Sequence, residues 1–293
     1  MADSAIIPQM EGSDVSAIES PRLTLTVALA GVRIWTDPSL AKIGTVVAFT
    51  ERAGGASRPP YHGLNLAAHV GDDPADVDSN RTRLCEALGI GDARERLVTA
   101  EQVHGVGIAE VGDHDAGSGA FASGGRPPIA STDALLTASA RVPLLMLYAD
   151  CVPVVIVAQR PRRAVCVVHA GWRGALAGLP GAAATRLAEK TGCVPSELWA
   201  YLGPHIGGCC YEVGEDTLSE ARAAGAAGGI SGRRLDLGRV VREDLARAGL
   251  IDERVVEAGM CTRDNSERFF SYRRSSVTGR HGALAMLVSE QGR

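Results

Sequence analysis

The sequence predicts an α/β fold of the α+β kind, in which strands and helices build a single domain. Short apolar runs at 144–148, 154–158 and 164–169 have strand length and crowd the middle of the chain. Segments with helical spacing stand on both sides of them, Val77, Arg81, Leu84 and Leu88 before and Val240, Val241 and Leu245 after. Clusters of Gly, Pro, Ser and Asp punctuate the runs, and neither a repeat nor a linker divides the chain.

In chain order, residues 1–21 are acidic and are expected to form a flexible tail, with the domain at 22–293. The tail lacks a charged region followed by an apolar core, so it does not read as a secretory signal. Loose alternation at 23–35 and a β-type run at 44–50 open the fold with strands. Asp72-Asp73-Pro74 starts a helix that Gly89 stops. A strand is expected at 97–102, then a long loop at 112–131 rich in Gly, Ser and Asp, of a length that lids often have. Residues 132–136 resume the sheet. After His169, residues 171–190 suit a helix with an irregular middle at Gly178, Pro180 and Gly181. A strand at 197–203, a helix at 235–248 ended by Gly249, and a strand at 283–288 complete the pattern.

With 293 residues, 45% of them hydrophobic, the chain is long enough for a substantial core. A formal charge of -4 gives no electrostatic reason to expect nucleic acid or a membrane surface as partner. No apolar run approaches the roughly 20 residues of a membrane span. Seven cysteines form an odd set without framework spacing, and the adjacent Cys209 and Cys210 are poorly placed to pair with each other. A reducing, cytoplasmic setting is the expectation.

The chemistry centres on Tyr148-Ala149-Asp150-Cys151-Val152-Pro153 and Val167-Val168-His169-Ala170-Gly171-Trp172-Arg173-Gly174. Cys151 and His169 both sit where strands end, so a rigid sheet holds a thiolate and an imidazole at the rim of a pocket. Together with His69, another histidine at a break in an apolar segment, they make a two-His, one-Cys set that leaves a tetrahedral zinc one open position. A blue-copper site would add a weak methionine ligand, and no methionine closely flanks Cys151 or His169. A metal-free alternative has Cys151 as nucleophile, His169 as base and Asp150 orienting it. Arg52, in a turn before Gly54-Gly55, reads either as a solvated side chain or as a forked grip on an anion. Gln102 and His104 precede Gly105; His104 reads as base, ligand, or a histidine satisfied by a carbonyl. Arg173 begins a helix, and Phe269-Phe270-Ser271-Tyr272-Arg273-Arg274 suits either stacking on a base beside an anion or anchoring a strand. The chain has no H-E-x-x-H, Walker loop, G-x-S-x-G or C-x-x-C, which removes metalloprotease, P-loop and serine-hydrolase readings.

Read together, these segments resemble the laccase-domain, or polyphenol oxidase, family of purine nucleoside phosphorylase-like proteins, which includes the bacterial peptidoglycan editing factor. The resemblance runs from about Thr50 onward through Arg52-Ala53-Gly54-Gly55, Leu64-Asn65-Leu66 with His69-Val70-Gly71-Asp72, Gln102-Val103-His104-Gly105, the two central segments, Gly203-Pro204 with Tyr211-Glu212-Val213, and Phe269 to Arg274. It implies layered mixed β-sheets flanked by helices, zinc held by His69, Cys151 and His169, phosphorolysis of purine nucleosides including methylthioadenosine, and deamination of adenosine. It also implies Arg52, then Arg173, as contacts for phosphate, with Gln102, His104, Tyr272 and Arg273 lining the pocket. Copper is a possible substitute, although none of the histidines at 62, 69, 104, 114, 169, 205 and 281 forms the His-x-His pairs of three-domain laccases. The chain departs from the family's pattern at Ala67-Ala68 and at His205, changes that bear on pocket shape. Two rivals remain: an amidase that edits a cell-wall precursor, and a metal-stabilised non-catalytic partner of cell-wall or division machinery. A monomer is the default expectation, and no sequence feature sets the oligomeric state.

Overall fold

Strands whose side chains are apolar on both faces must be covered on both sides, and the computed structural model shows how this chain covers them. It describes residues 20–289, so the tail expected at 1–21 lies almost wholly outside the described residues. One antiparallel sheet has the order Thr24–Val27, Arg33–Thr36, Thr45–Thr50, His281–Leu287, Leu144–Tyr148. A second, mixed sheet has the order Val255–Glu257, Trp199–Leu202, Val152–Ala158, Ala164–Ala170, Ala134–Thr137, Ile108–Glu110, with parallel pairs at its two edges and antiparallel pairs between. A small ribbon, Ile230–Ser231 with Arg234–Leu235, stands apart.

The period of two along each strand explains the layering. Val155, Val157, Val165 and Val167 of the mixed sheet pack with Phe49, Met146 and Tyr148 of the antiparallel one, which makes a shared core between the sheets. Their neighbours Val154, Ile156, Cys166 and Val168 face the other way, onto the helices Leu179–Thr191 and Leu237–Arg247. On the antiparallel sheet, Val46, Ala48, Leu145 and Leu147 pack with Leu84, Cys85 and Leu88 at the helix Pro74–Ala87. The result is the layered mixed architecture expected, in the sequence helix, sheet, sheet, helix. No helix among the described residues is long and apolar enough to cross a membrane.

The structure departs from the sequence expectation in two places. Residues 97–102 form no strand, because successive residues bond to different neighbours: Val98 to Pro143 and Leu145, Thr99 to Ser118 and Ile129. The helix expected at 171–190 is two, Trp172–Leu176 and Leu179–Thr191, broken at Gly178 with φ 78°. The irregular 112–131 segment is fastened at Gly119 and Ala120, whose carbonyls accept from the Arg81 guanidinium at 2.9 and 3.0 Å.

One crossing matters for everything below. The chain leaves the antiparallel sheet at Tyr148 and enters the mixed sheet at Val152, so Ala149-Asp150-Cys151 is the link between the two. Near it the sheets touch closely: a Cβ added at Gly203 would lie 2.3 Å from Cδ1 of the fully buried Phe49. Truncating Phe49 to Ala is expected to cost about 4 kcal/mol in urea unfolding, and Phe49→Leu under about 1.5 kcal/mol. Equal, small losses for both would mean that the sheets are not held by this contact.

Candidate active site

Asp133 organises the site. It lies at the start of the strand Ala134–Thr137, fully buried, and buried carboxylates need several donors. It accepts from the backbone N–H groups of Val103, His104 and Gly105 at 3.3, 3.0 and 2.7 Å, and its Oδ1 lies 2.8 Å from Nδ1 of His169. Burial alone would raise its pKa; the hydrogen bonds from His169 and the loop outweigh that and bring it below the ordinary value. One carboxylate therefore fixes both the loop that carries His104 and the ring of His169. With Nδ1 turned to Asp133, Nε2 of His169 is left for Cys151.

Cys151 is set by the sheet crossing. Asp150 holds φ at 95°, a strained value for a side chain other than glycine. Its carboxylate accepts from Thr262 Oγ1 at 2.6 Å and from the Arg273 N–H at 2.7 Å, which offsets the strain and fixes the turn. His104 is also in the left-handed region, at φ 59°. Gly171 supplies the room between them, since a Cβ there would meet His104 Cδ2 at 2.8 Å and Cys151 Sγ at 3.4 Å.

The donor atoms of His104, Cys151 and His169 lie within 4.8 Å of one another. Burial would push the Cys151 thiol up, yet the charge on His169 and hydrogen bonds from His104 and His169 bring it down to about 6. His169 moves the other way: burial lowers it, but the Cys151 thiolate and Asp133 raise it to about 9. A low-pKa thiolate and two imidazoles, one locked in tautomer by a carboxylate, fit a zinc ion with a free coordination position. The same pair, without metal, is also a thiolate–imidazolium couple.

These residues face a cavity of about 750 Å³, which also receives His69, Gln102, Arg173, Tyr272 and Arg273. The structure thus brings every sequence-predicted residue but one to a single cavity. His69 is in the wall but outside the close trio, whose third member is His104. Burial, then Arg280 and Arg81, lower the His69 pKa. Gln102 is held by the backbone of Leu147, donating at 2.8 Å and accepting at 2.9 Å. Arg52 does not line the cavity; it donates to the carbonyls of Ser266 at 2.8 Å and His62 at 3.1 Å and lies 4.6 Å over the Phe270 ring. His205, where the chain departs from the family's pattern, turns Nδ1 to the Gly203 carbonyl at 2.8 Å and does not line the cavity.

Sequence reasoning missed Arg280, which lines the cavity with its pKa lowered by burial, and Asp133 itself. The only signal for Asp133 was an acid just before a strand, and its value appears once that strand pairs beside His169.

The coupling is testable in protein stripped of metal. Alkylation of Cys151, followed by peptide mass against pH, is expected to rise with a midpoint near pH 6. In His169→Ala the positive partner is gone and burial dominates, so the midpoint should move upward past the ordinary thiol value. An unchanged midpoint would remove His169 as the cause.

Comparison with known proteins agrees with this architecture. The profile of the family described as multi-copper polyphenol oxidoreductase laccase matches residues 46–288. A purine nucleoside phosphorylase of Streptomyces coelicolor is 38% identical over 241 residues, 81% of this chain and 93% of that protein. The purine nucleoside phosphorylase YlmD of Geobacillus stearothermophilus is 36% identical over 248 residues, 81% of this chain and 88% of that one. Among solved structures, the Bacillus licheniformis hypothetical protein YfiH superposes with a TM-score of 0.80 at 30% identity, covering 87% of this chain and 96% of that one. The matched span takes in most of both sheets and all three members of the trio, and the chain belongs to the multi-copper polyphenol oxidoreductase laccase family.

Proposed function

We propose that the chain is a zinc-dependent purine nucleoside phosphorylase that also accepts methylthioadenosine and deaminates adenosine, working as a cytoplasmic monomer on nucleoside and phosphate. The observation that carries this reading is the convergence of His104, Cys151 and His169 on one cavity that arginines also line. A volume of about 750 Å³ suits a nucleoside with phosphate beside it. Relatives that match along most of their length are named purine nucleoside phosphorylases, which supports the same substrate class.

In this reading His104, Cys151 and His169 would hold the zinc, which would supply Lewis acidity toward an oxygen of phosphate or water. His69, its pKa lowered by burial and by Arg280, faces the substrate. Arg173 and Arg280 offer planar, forked donors to phosphate in place of Arg52. Tyr272, 55% exposed at the rim, offers its ring to the purine face, and Arg273 stays anchored by its bond to the Glu212 carbonyl at 2.6 Å. In phosphorolysis a phosphate oxygen bonds to ribose C1′ while the bond from C1′ to the purine nitrogen breaks. The electron pair leaves with the purine, which takes a proton. Holding phosphate and ribose in register is the task of the arginines. Copper binds imidazole and thiolate donors more tightly than zinc does, so polyphenol oxidation by copper-loaded protein is read as incidental.

The test is a nucleoside panel with and without phosphate. Free base and ribose 1-phosphate are expected only when both substrates are present. Activity should fall to background in His104→Ala and Cys151→Ala, and by roughly 10–100-fold in Asp133→Asn, where the ligand loses its orienting partner. Metal-replete protein that releases no base from any nucleoside, or that instead hydrolyses a UDP-muramoyl-L-serine substrate, would overturn the proposal.

A further inference from the structure

A second group of soft donors stands outside the cavity, and its position follows from strand pairing. Trp199–Leu202 and Val255–Glu257 are parallel neighbours, so the loops that follow them leave the sheet at the same end. The first loop carries Cys209 and Cys210, the second Cys261 and Asp264. The loops are stitched together where the His205 N–H donates to the Met260 carbonyl at 3.2 Å and the Thr262 N–H to the His205 carbonyl at 2.9 Å. The four side chains then present one sulfur or carboxylate oxygen each, all within 4.8 Å of one another.

The local backbone is shaped to admit sulfur. Gly207 donates its N–H to Cys261 Sγ at 3.4 Å, and a Cβ at Gly207 would lie 3.1 Å from Cys209 Sγ and 3.5 Å from Cys261 Cβ. A tight turn follows, with the Cys210 and Tyr211 N–H groups both bonded to the Gly207 carbonyl at 2.9 and 3.0 Å. Cys209 Sγ lies 3.2 Å from Asp264 Oδ2, and Cys210 Sγ 3.0 Å from Oδ1. Four donors around a tetrahedral zinc, with bonds of about 2.3 Å to sulfur, stand roughly 3.8 Å apart. Thiols are weak hydrogen-bond donors, and three of them meeting at one carboxylate are a poor hydrogen-bonding arrangement but a good soft-metal ligand set.

We propose that Cys209, Cys210, Cys261 and Asp264 form a second metal site, closed by four protein donors, for a divalent cation of the zinc class. Binding replaces the three thiol protons, which pass to solvent, by one dication. Its role is structural. The ion clamps the loop after Trp199–Leu202 to the loop after Val255–Glu257, and the next residue, Thr262, bonds the Asp150 carboxylate beside Cys151. The adjacent Cys209 and Cys210, poor partners for a disulfide with each other, are thereby given a use that the cavity chemistry does not require of them.

The site is independent of the phosphorylase reading, and zinc titration of reduced, chelator-treated full-length protein separates the two. Wild type is expected to bind one more ion than Cys209→Ser/Cys210→Ser, whereas Cys151→Ala loses only the ion of the cavity. Equal zinc binding by wild type and the double variant would overturn the proposal. A measurement on wild type alone guards against misfolding of the variant. Zinc should protect Cys209, Cys210 and Cys261 from alkylation, mapped by peptide mass, and a chelator should restore their reactivity. Labelling of these three at the same rate with and without zinc, or a disulfide among them in protein purified without oxidant, would equally refute it.

Discussion

The buried carboxylate of Asp133 is the constraint on which the site depends. It cannot remain charged at full burial without donors, and the donors that satisfy it are the ring of His169 and three consecutive N–H groups of the 103–105 loop. Meeting its own hydrogen-bonding need therefore sets the position of two imidazoles. The third donor, Cys151, is set separately, by the crossing between sheets and the strained turn at Asp150. Cys151 and the two imidazoles meet because Gly171 leaves them room.

The architecture explains why this works. Two sheets that share a core are stiff where they face each other, and the cavity lies where the chain passes from one to the other. Residues at that seam inherit the rigidity of both sheets without being buried between them. His169 can be 3% exposed and still point Nε2 at a pocket wide enough for a substrate. The charge balance follows the same logic: a thiolate and a carboxylate next to His169 raise its pKa, while burial, then Arg280 and Arg81, lower that of His69. One cavity is thus lined both by the soft donors of Cys151, His104 and His169 and by the guanidinium groups of Arg173, Arg273 and Arg280.

Much of this was legible in the sequence, and the rest was not for identifiable reasons. Cys151 and His169 announced themselves because strands ending in a reactive side chain before a turn or glycine leave few structural roles for it. The strands and helices followed from short apolar runs and helical spacing, while their layering came with the family resemblance. The third donor was harder: His69 and His104 both sit at breaks in apolar segments, and only the bonds of the 103–105 loop to Asp133 bring His104 into the trio. Arg52 beside a glycine pair looked like an anion grip, yet carbonyls of distant loops take up its guanidinium. Arg280 gave no local signal, since its place in the cavity depends on the last strand pairing between two earlier ones. The strand expected at 97–102 has the composition of a strand, but its neighbours change from one residue to the next.

The most direct test of the account is the position of the metal in zinc-loaded crystals, located by anomalous scattering at the zinc edge. The account predicts a peak in the cavity bonded to Cys151 Sγ, His169 Nε2 and a ring nitrogen of His104. A peak that takes His69 in place of His104, or a cavity without any peak while the crystals hold zinc, would contradict it.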